Sequence, residues 1–183
     1  MAFKKNHIWI FVWILVYVIG FQVNCTEMLG NKGIHIINGE YYRFFTGLLV
    51  HVNLVHVLLN IMALYYTVNY LSGQVSQIKL LILPIIAAIA ANIAFSVIYP
   101  GSLSVGGSPV IFAMLGLALT LQIMKKDIER LRPNTVETSW MLGYALLGNI
   151  PLFSGNISTL VIHLLAFVIA FLLGCIVVKL KQL

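Results

Sequence analysis

The sequence predicts an all-α membrane protein: a six-transmembrane-helix bundle with both termini cytoplasmic. Three observations predict it. Of 183 residues, 61% are hydrophobic and 9% charged, and the mean hydropathy is +1.00; a soluble domain carries about 25% charged residues. Six apolar segments follow one another, at roughly 7–23, 50–71, 78–99, 108–124, 138–153 and 159–178. A spanning helix needs roughly 20 mostly apolar residues, so this length accommodates about six spans with short loops and leaves no room for a second soluble domain. Residues 1–183 are therefore read as one polytopic membrane domain. Finally, Lys4, Lys5, Lys79, Lys125, Lys126, Arg130, Arg132, Lys179 and Lys181 fall on one side of a six-span arrangement, and only Lys32 and Arg43 on the other. Positive charge collects on the cytoplasmic side.

The elements follow in order. Lys4-Lys5 and the apolar run to Phe21 are read as a retained first span rather than a signal peptide, because the run is long for one and no A-x-A-like site follows. Residues 24–49 form a long, half-embedded external loop with several apolar side chains. The second segment carries His51, His56 and Asn60 into otherwise apolar sequence. The loop KKDIERLRP at 125–133 is the main basic cytoplasmic connection. The fifth segment is short and contains Gly143, Gly148 and Pro151, which loosen or end a helix. Two sequons, Asn24-Cys25-Thr26 and Asn156-Ile157-Ser158, fall externally and matter only in a compartment that glycosylates. Tyr41, Tyr42, Trp9, Trp13 and Trp140 read as interfacial or packing residues, and His7 and His35 carry no signal.

Several classes are excluded. The net charge is +6, but no basic face exists outside the membrane segments, so nucleic acid is not a partner. Cys25 and Cys175 suggest neither a metal site nor a disulfide. No H-E-x-x-H occurs, and His51 and His56 have no glutamate between them. The only aspartate, Asp127, is cytoplasmic, which excludes an intramembrane aspartyl protease needing two intramembrane aspartates. No metal or cofactor is expected.

Polar residues inside a bilayer are costly and usually functional. His56 and Asn60 are four apart and share a helix face. Spans two, four and six run from outside to inside. Ser108 stands at the outer start of span four, and His163 about four residues into span six, about 6 Å at ~1.5 Å per residue. His56 and Asn60 lie one to two turns into span two. Four polar residues from three helices thus share one depth, near the external third of the bilayer. The chemistry this allows is nucleophilic acyl transfer by a Ser–His dyad, since serine needs an adjacent base and histidine titrates in the right range. The Ser108 backbone N–H at a helix start, the Asn60 amide and a His56 ring N–H are candidate oxyanion donors. Ser108, Phe112, Gly116 and Thr120 step by four along span four, and His163, Ala166, Ala170 and Gly174 lie along one face of span six. Facing small residues let membrane helices approach closely, which brings Ser108 to His163.

These residues resemble the rhomboid family. The run from Arg43 through His51, His56 and Asn60 resembles its aromatic-Arg pair followed by H-x-x-x-x-H-x-x-x-N. Gly106-Gly107-Ser108-Pro109 falls where rhomboids carry G-x-S-G, and His163 where they carry the dyad histidine. The resemblance covers about residues 40–174 within a rhomboid-like core of about 40–178. It implies an intramembrane serine endopeptidase that cleaves transmembrane segments of other proteins. It implies Ser108 as nucleophile, His163 as base, and His56 and Asn60 as oxyanion side chains. Gly106 is similar to the first glycine of the serine motif. His51 and Arg43 match residues that hold the long first loop, and Phe112 sits where a tyrosine often stacks on the histidine. Three departures stand out: Pro109 replaces the last glycine of the motif, Ile162 and Ala166 flank the histidine where small residues are usual, and Phe112 lacks a hydroxyl. Pro109 and Ile162 support the alternative, a rhomboid-like pseudoprotease that binds transmembrane helices without cutting them. The expected partners are transmembrane-segment substrates and the lipid bilayer, and the expected location is a bacterial cell membrane.

Overall fold

Apolar segments bounded by short polar turns become helices because a buried backbone must satisfy its own hydrogen bonds. The computed structural model accordingly shows a mostly helical chain. It describes residues 7–149 and 157–180. Lys4, Lys5, Pro151, Asn156 of the second sequon and Lys181 lie outside the described residues.

In chain order the elements are α1 (Ile8–Ile19), α2 (Cys25–Leu29), β1 (Asn31–Lys32), α3 (Gly33–Ile37), α4 (Arg43–Thr46), α5 (Leu54–Leu71), α6 (Gln77–Ile98), β2 (Leu103–Ser104), α7 (Ser108–Met124), α8 (Val136–Leu147) and α9 (Ile157–Lys179). Among the described residues three helices, α5, α6 and α9, are long and apolar enough to cross a membrane. The other three expected spans are shorter: α1 and α8 have 12 residues each and α7 has 17. At 17 residues and ~1.5 Å per residue, α7 is about 25 Å long, short of the ~30 Å hydrocarbon core. The reason is visible in its surroundings. All but one residue of Ser108–Leu121 is buried, so α7 is the hub of the bundle and is screened from lipid by protein.

α7 packs most extensively on α9, then on α6 and α5. The α7–α9 contact is close. A Cβ at Gly116 would collide with the Phe167 carbonyl oxygen, and the Thr120 hydroxyl donates to the Phe171 carbonyl at 3.0 Å. Ala166 and Ala170 on α9 are buried in the same seam.

The segment 24–49 is folded, with short helices and a strand. β1 pairs with β2 in antiparallel fashion, Asn31 opposite Ser104. Arg43 Nη1 donates to the Glu27 carbonyl at 2.6 Å and the Gly30 carbonyl at 3.0 Å, and Nε donates to Glu40 at 2.6 Å. Below it a buried polar network is satisfied within the protein. Asn92 Nδ2 donates to the Phe44 carbonyl at 2.8 Å, and Ser104 Oγ donates to Asn92 Oδ1 at 2.9 Å. Ser96 Oγ donates to Asn31 Oδ1 at 3.1 Å. This network ties the first loop to α6 and to the strand that leads into α7. Cys25 and Cys175 are free thiols.

Candidate active site

His56 and Asn60 of α5 are positioned by its first turn. Asn53 caps the helix, its side chain accepting from the His56 backbone N–H at 2.8 Å. His56 and Asn60 then project one turn apart on the same side of α5. Asn60 is fully buried. Its Oδ1 accepts a hydrogen bond from the Tyr144 hydroxyl of α8, while its Nδ2 is buried with no partner among the described residues.

The turn before α7 is built to fit against these side chains. Gly106 has φ +114°, a left-handed conformation that L side chains rarely adopt, and a Cβ there would stand 2.6 Å from His56 Cε1. The Gly106 N–H donates to the Gly47 carbonyl at 2.9 Å, and the Gly107 N–H donates to His51 Nε2 at 3.3 Å. His51 in turn packs edge-on against Trp13 of α1, at 5.2 Å between centroids, and against His56 at 5.0 Å. Ser108 therefore begins α7 from a turn gripped on both sides. Pro109 occupies the first turn of the helix, where its missing N–H is no loss.

His163 is contributed by α9 and is 4% exposed. Phe112, one turn into α7, stacks on its ring at 4.1 Å with planes 11° apart. His163 Nδ1 lies 2.9 Å from Asn149 Oδ1. Its Nε2 is buried and has no hydrogen-bond partner among the described residues, so no bond joins it to Ser108 in this structure.

These pieces surround one cavity of about 940 Å³, bordered by α5, α8, α9 and the start of α7. Ser108, His163, His56, Asn60 and Tyr144 line it together, with Ile162 in its wall. The structure thus brings together Ser108, His163, His56 and Asn60, with Gly106 and Phe112 supporting two of the rings. Arg43 stands apart, inside the 24–49 segment. His51 sits at the serine turn, its Nε2 accepting from the Gly107 N–H. Trp13 is a packing residue, buried beneath that turn.

Two residues were not singled out by the sequence: Tyr144 and Asn149. Each is a single polar group near the end of an apolar helix, where a solvent-facing tyrosine or a helix-ending asparagine is commonplace. Only the fold reveals that both point at the site. No group of three or more His, Cys, Asp or Glu able to hold a metal occurs among the described residues.

A helical membrane bundle with a largely apolar cavity between its helices, into which a serine and a histidine project, defines the class: an integral membrane protein with a buried serine and histidine. The Rhomboid domain family model matches residues 38–180, and the chain belongs to the rhomboid family. No match was found among curated proteins.

Proposed function

We propose that the protein is an intramembrane serine endopeptidase that cleaves transmembrane segments of other membrane proteins. Six spans, one domain over 1–183, cytoplasmic termini and a bacterial cell membrane belong to the same proposal. The observation that carries it is the shared cavity. Ser108 stands at a helix start, and two buried polar atoms beside it, His163 Nε2 and Asn60 Nδ2, have no hydrogen-bond partner among the described residues. Unpaired buried polar atoms cost free energy of about 1–3 kcal/mol each unless a ligand satisfies them, and a peptide carbonyl under attack is such a ligand.

Ser108 Oγ attacks the peptide carbonyl carbon as its proton passes to His163 Nε2. The oxyanion that forms is held by Asn60 Nδ2, a His56 ring N–H and the Ser108 backbone N–H, each donor worth roughly 10²–10³ in rate. His163 then gives the proton to the leaving amine nitrogen as the C–N bond breaks, leaving an acyl-Ser108 that water hydrolyses by the same exchange in reverse. A helical peptide bond is shielded, so the substrate unwinds locally, reaching the cavity laterally between α5 and α8, which both border it.

The second reading, a pseudoprotease, is favoured by the missing Ser108–His163 bond, by Pro109, and by Ile162, buried in the cavity wall. Apo catalytic pairs are often loose and tighten only with substrate. Labelling with a serine-directed fluorophosphonate separates the two readings. The wild type is expected to label, and Ser108→Ala and His163→Ala are not. Equal labelling of all three removes the protease reading.

A further inference from the structure

Resting on the dyad reading above, we infer that Asn149 is a positioning residue that sets the tautomer of His163 and aims its Nε2 at Ser108. The argument begins with a carbonyl. Asn149 Nδ2 lies 2.7 Å from the Ala145 carbonyl oxygen, in the last turn of α8. A carbonyl only accepts, so the nitrogen end of the amide must face it. That leaves Oδ1 directed at His163 Nδ1, 2.9 Å away. An amide oxygen also only accepts, so Nδ1 must carry the hydrogen. In a neutral imidazole the other nitrogen, Nε2, is then bare and able to take a proton. Nε2 is the very atom that is buried and unpartnered among the described residues.

An asparagine beside a catalytic histidine can work against it. Presented by its nitrogen end, it stabilises the tautomer with the proton on Nε2, and in a serine-protease triad that tautomer costs roughly 10⁴ in kcat. Here the Ala145 carbonyl occupies the nitrogen end and removes that option. Phe112 and Asn149 then restrain different motions. The stack with Phe112 at 4.1 Å fixes the plane of the ring but tolerates a 180° flip about the Cβ–Cγ bond, which leaves that plane unchanged. The Asn149 bond selects one of the two orientations. As Ser108 Oγ–H transfers its proton to Nε2, Nδ1–H stays bonded to Oδ1 throughout, and no proton moves to Asn149. The amide therefore orients the imidazole without titrating. It also gives the last turn of α8 a direct hold on the base.

The test uses the full chain in detergent, with fluorophosphonate labelling rates and kcat and KM for a single-span substrate. Asn149→Ala is expected to slow labelling and to lower kcat roughly 10- to 100-fold with KM unchanged, the cost of a misplaced base. Asn149→Asp retains an oxygen toward Nδ1 and loses the donor to Ala145, so it is expected to recover most of the rate. Wild-type labelling no faster than that of Ser108→Ala overturns the dyad reading and this inference with it. Labelling of Asn149→Ala at the wild-type rate, or equal losses in Asn149→Ala and Asn149→Asp, overturns the inference alone. A measurement on unaltered protein stands whether or not the variants fold. In the ¹⁵N spectrum of histidine-labelled wild type, with His163 assigned by its loss in His163→Ala, Nδ1 is expected to be protonated and Nε2 bare. The opposite tautomer overturns the inference.

Discussion

Gly106 shows how narrowly single residues are specified around Ser108. Its φ of +114° suits glycine, and the space where a Cβ would stand is filled by the His56 ring, 2.6 Å away. Gly106→Ala must either distort the turn or push His56 aside, and both displace a proposed oxyanion donor. Backbone strain of this kind costs about 1–3 kcal/mol, and a lost oxyanion donor roughly 10²–10³ in kcat. The expected result for Gly106→Ala is at least a tenfold fall in kcat with a lower thermal midpoint, measured by substrate cleavage and by unfolding in detergent. A variant with unchanged kcat and midpoint would show that the turn tolerates the added methyl. The contact itself was beyond reach from sequence. G-x-S is legible as a motif, but nothing in it says that His56 is what the glycine makes room for. The same limit hid Tyr144 and Asn149. A hydrogen bond across 84 residues, from Tyr144 to Asn60, leaves no periodic trace, whereas the four-residue spacing of His56 and Asn60 does.

At the scale of the element, the α7–α9 pair is the part most plainly written in the sequence. Small residues at Gly116, Ala166, Ala170 and Gly174 mark a seam, and the seam is where Phe112 meets His163 and where Gly116 meets the Phe167 backbone. Hydropathy does not drive membrane helices together, so close packing and cross-helix bonds such as Thr120 to the Phe171 carbonyl must do so. Gly116→Leu forces the backbones apart and is expected to cost about 1–3 kcal/mol of stability, the usual penalty of overpacking. It is also expected to abolish cleavage, because Ser108 and His163 ride on the two separated helices. Gly143→Leu is the control: no atom stands within 4 Å of a Cβ there, so its thermal midpoint is expected to stay close to the wild type. Equal losses in both variants would mean that α7 and α9 are not held by this seam. The fourth apolar segment, 108–124, has the bounds of α7, but an apolar run does not show whether lipid or protein buries it, and only the fold makes α7 a hub enclosed by its neighbours.

Across the whole molecule, the 24–49 loop and the site form one mechanical unit. Arg43 fastens the loop to itself, and Asn92 fastens it to α6. The strand pair then delivers the chain to Gly106, whose amide is held by Gly47. The loop is thus a brace for the serine turn, and its stability should depend on pH through Glu40. Hydrogen bonding from the Arg43 guanidinium holds the Glu40 carboxyl below its ordinary value of 4.5. A carboxyl whose pKa is lower in the folded state stabilises that state above its unfolded pKa, and the contribution is lost as pH falls through the folded value. Glu40 is partly exposed, so the effect is small and screened by salt. Amide exchange in residues 27–46 of the wild type is therefore expected to be slow near neutral pH and to quicken as pH drops below about 4.5. In Glu40→Gln it is expected to start faster and to depend less on acid, once the intrinsic pH dependence of exchange is removed. The coupling should reach the site. If the brace supports Ser108, Glu40→Gln slows fluorophosphonate labelling at neutral pH by a factor that shrinks toward acid, where the wild type loses the same bond. Parallel labelling profiles for the two proteins would separate the loop from the chemistry and leave Arg43 a residue of the loop alone.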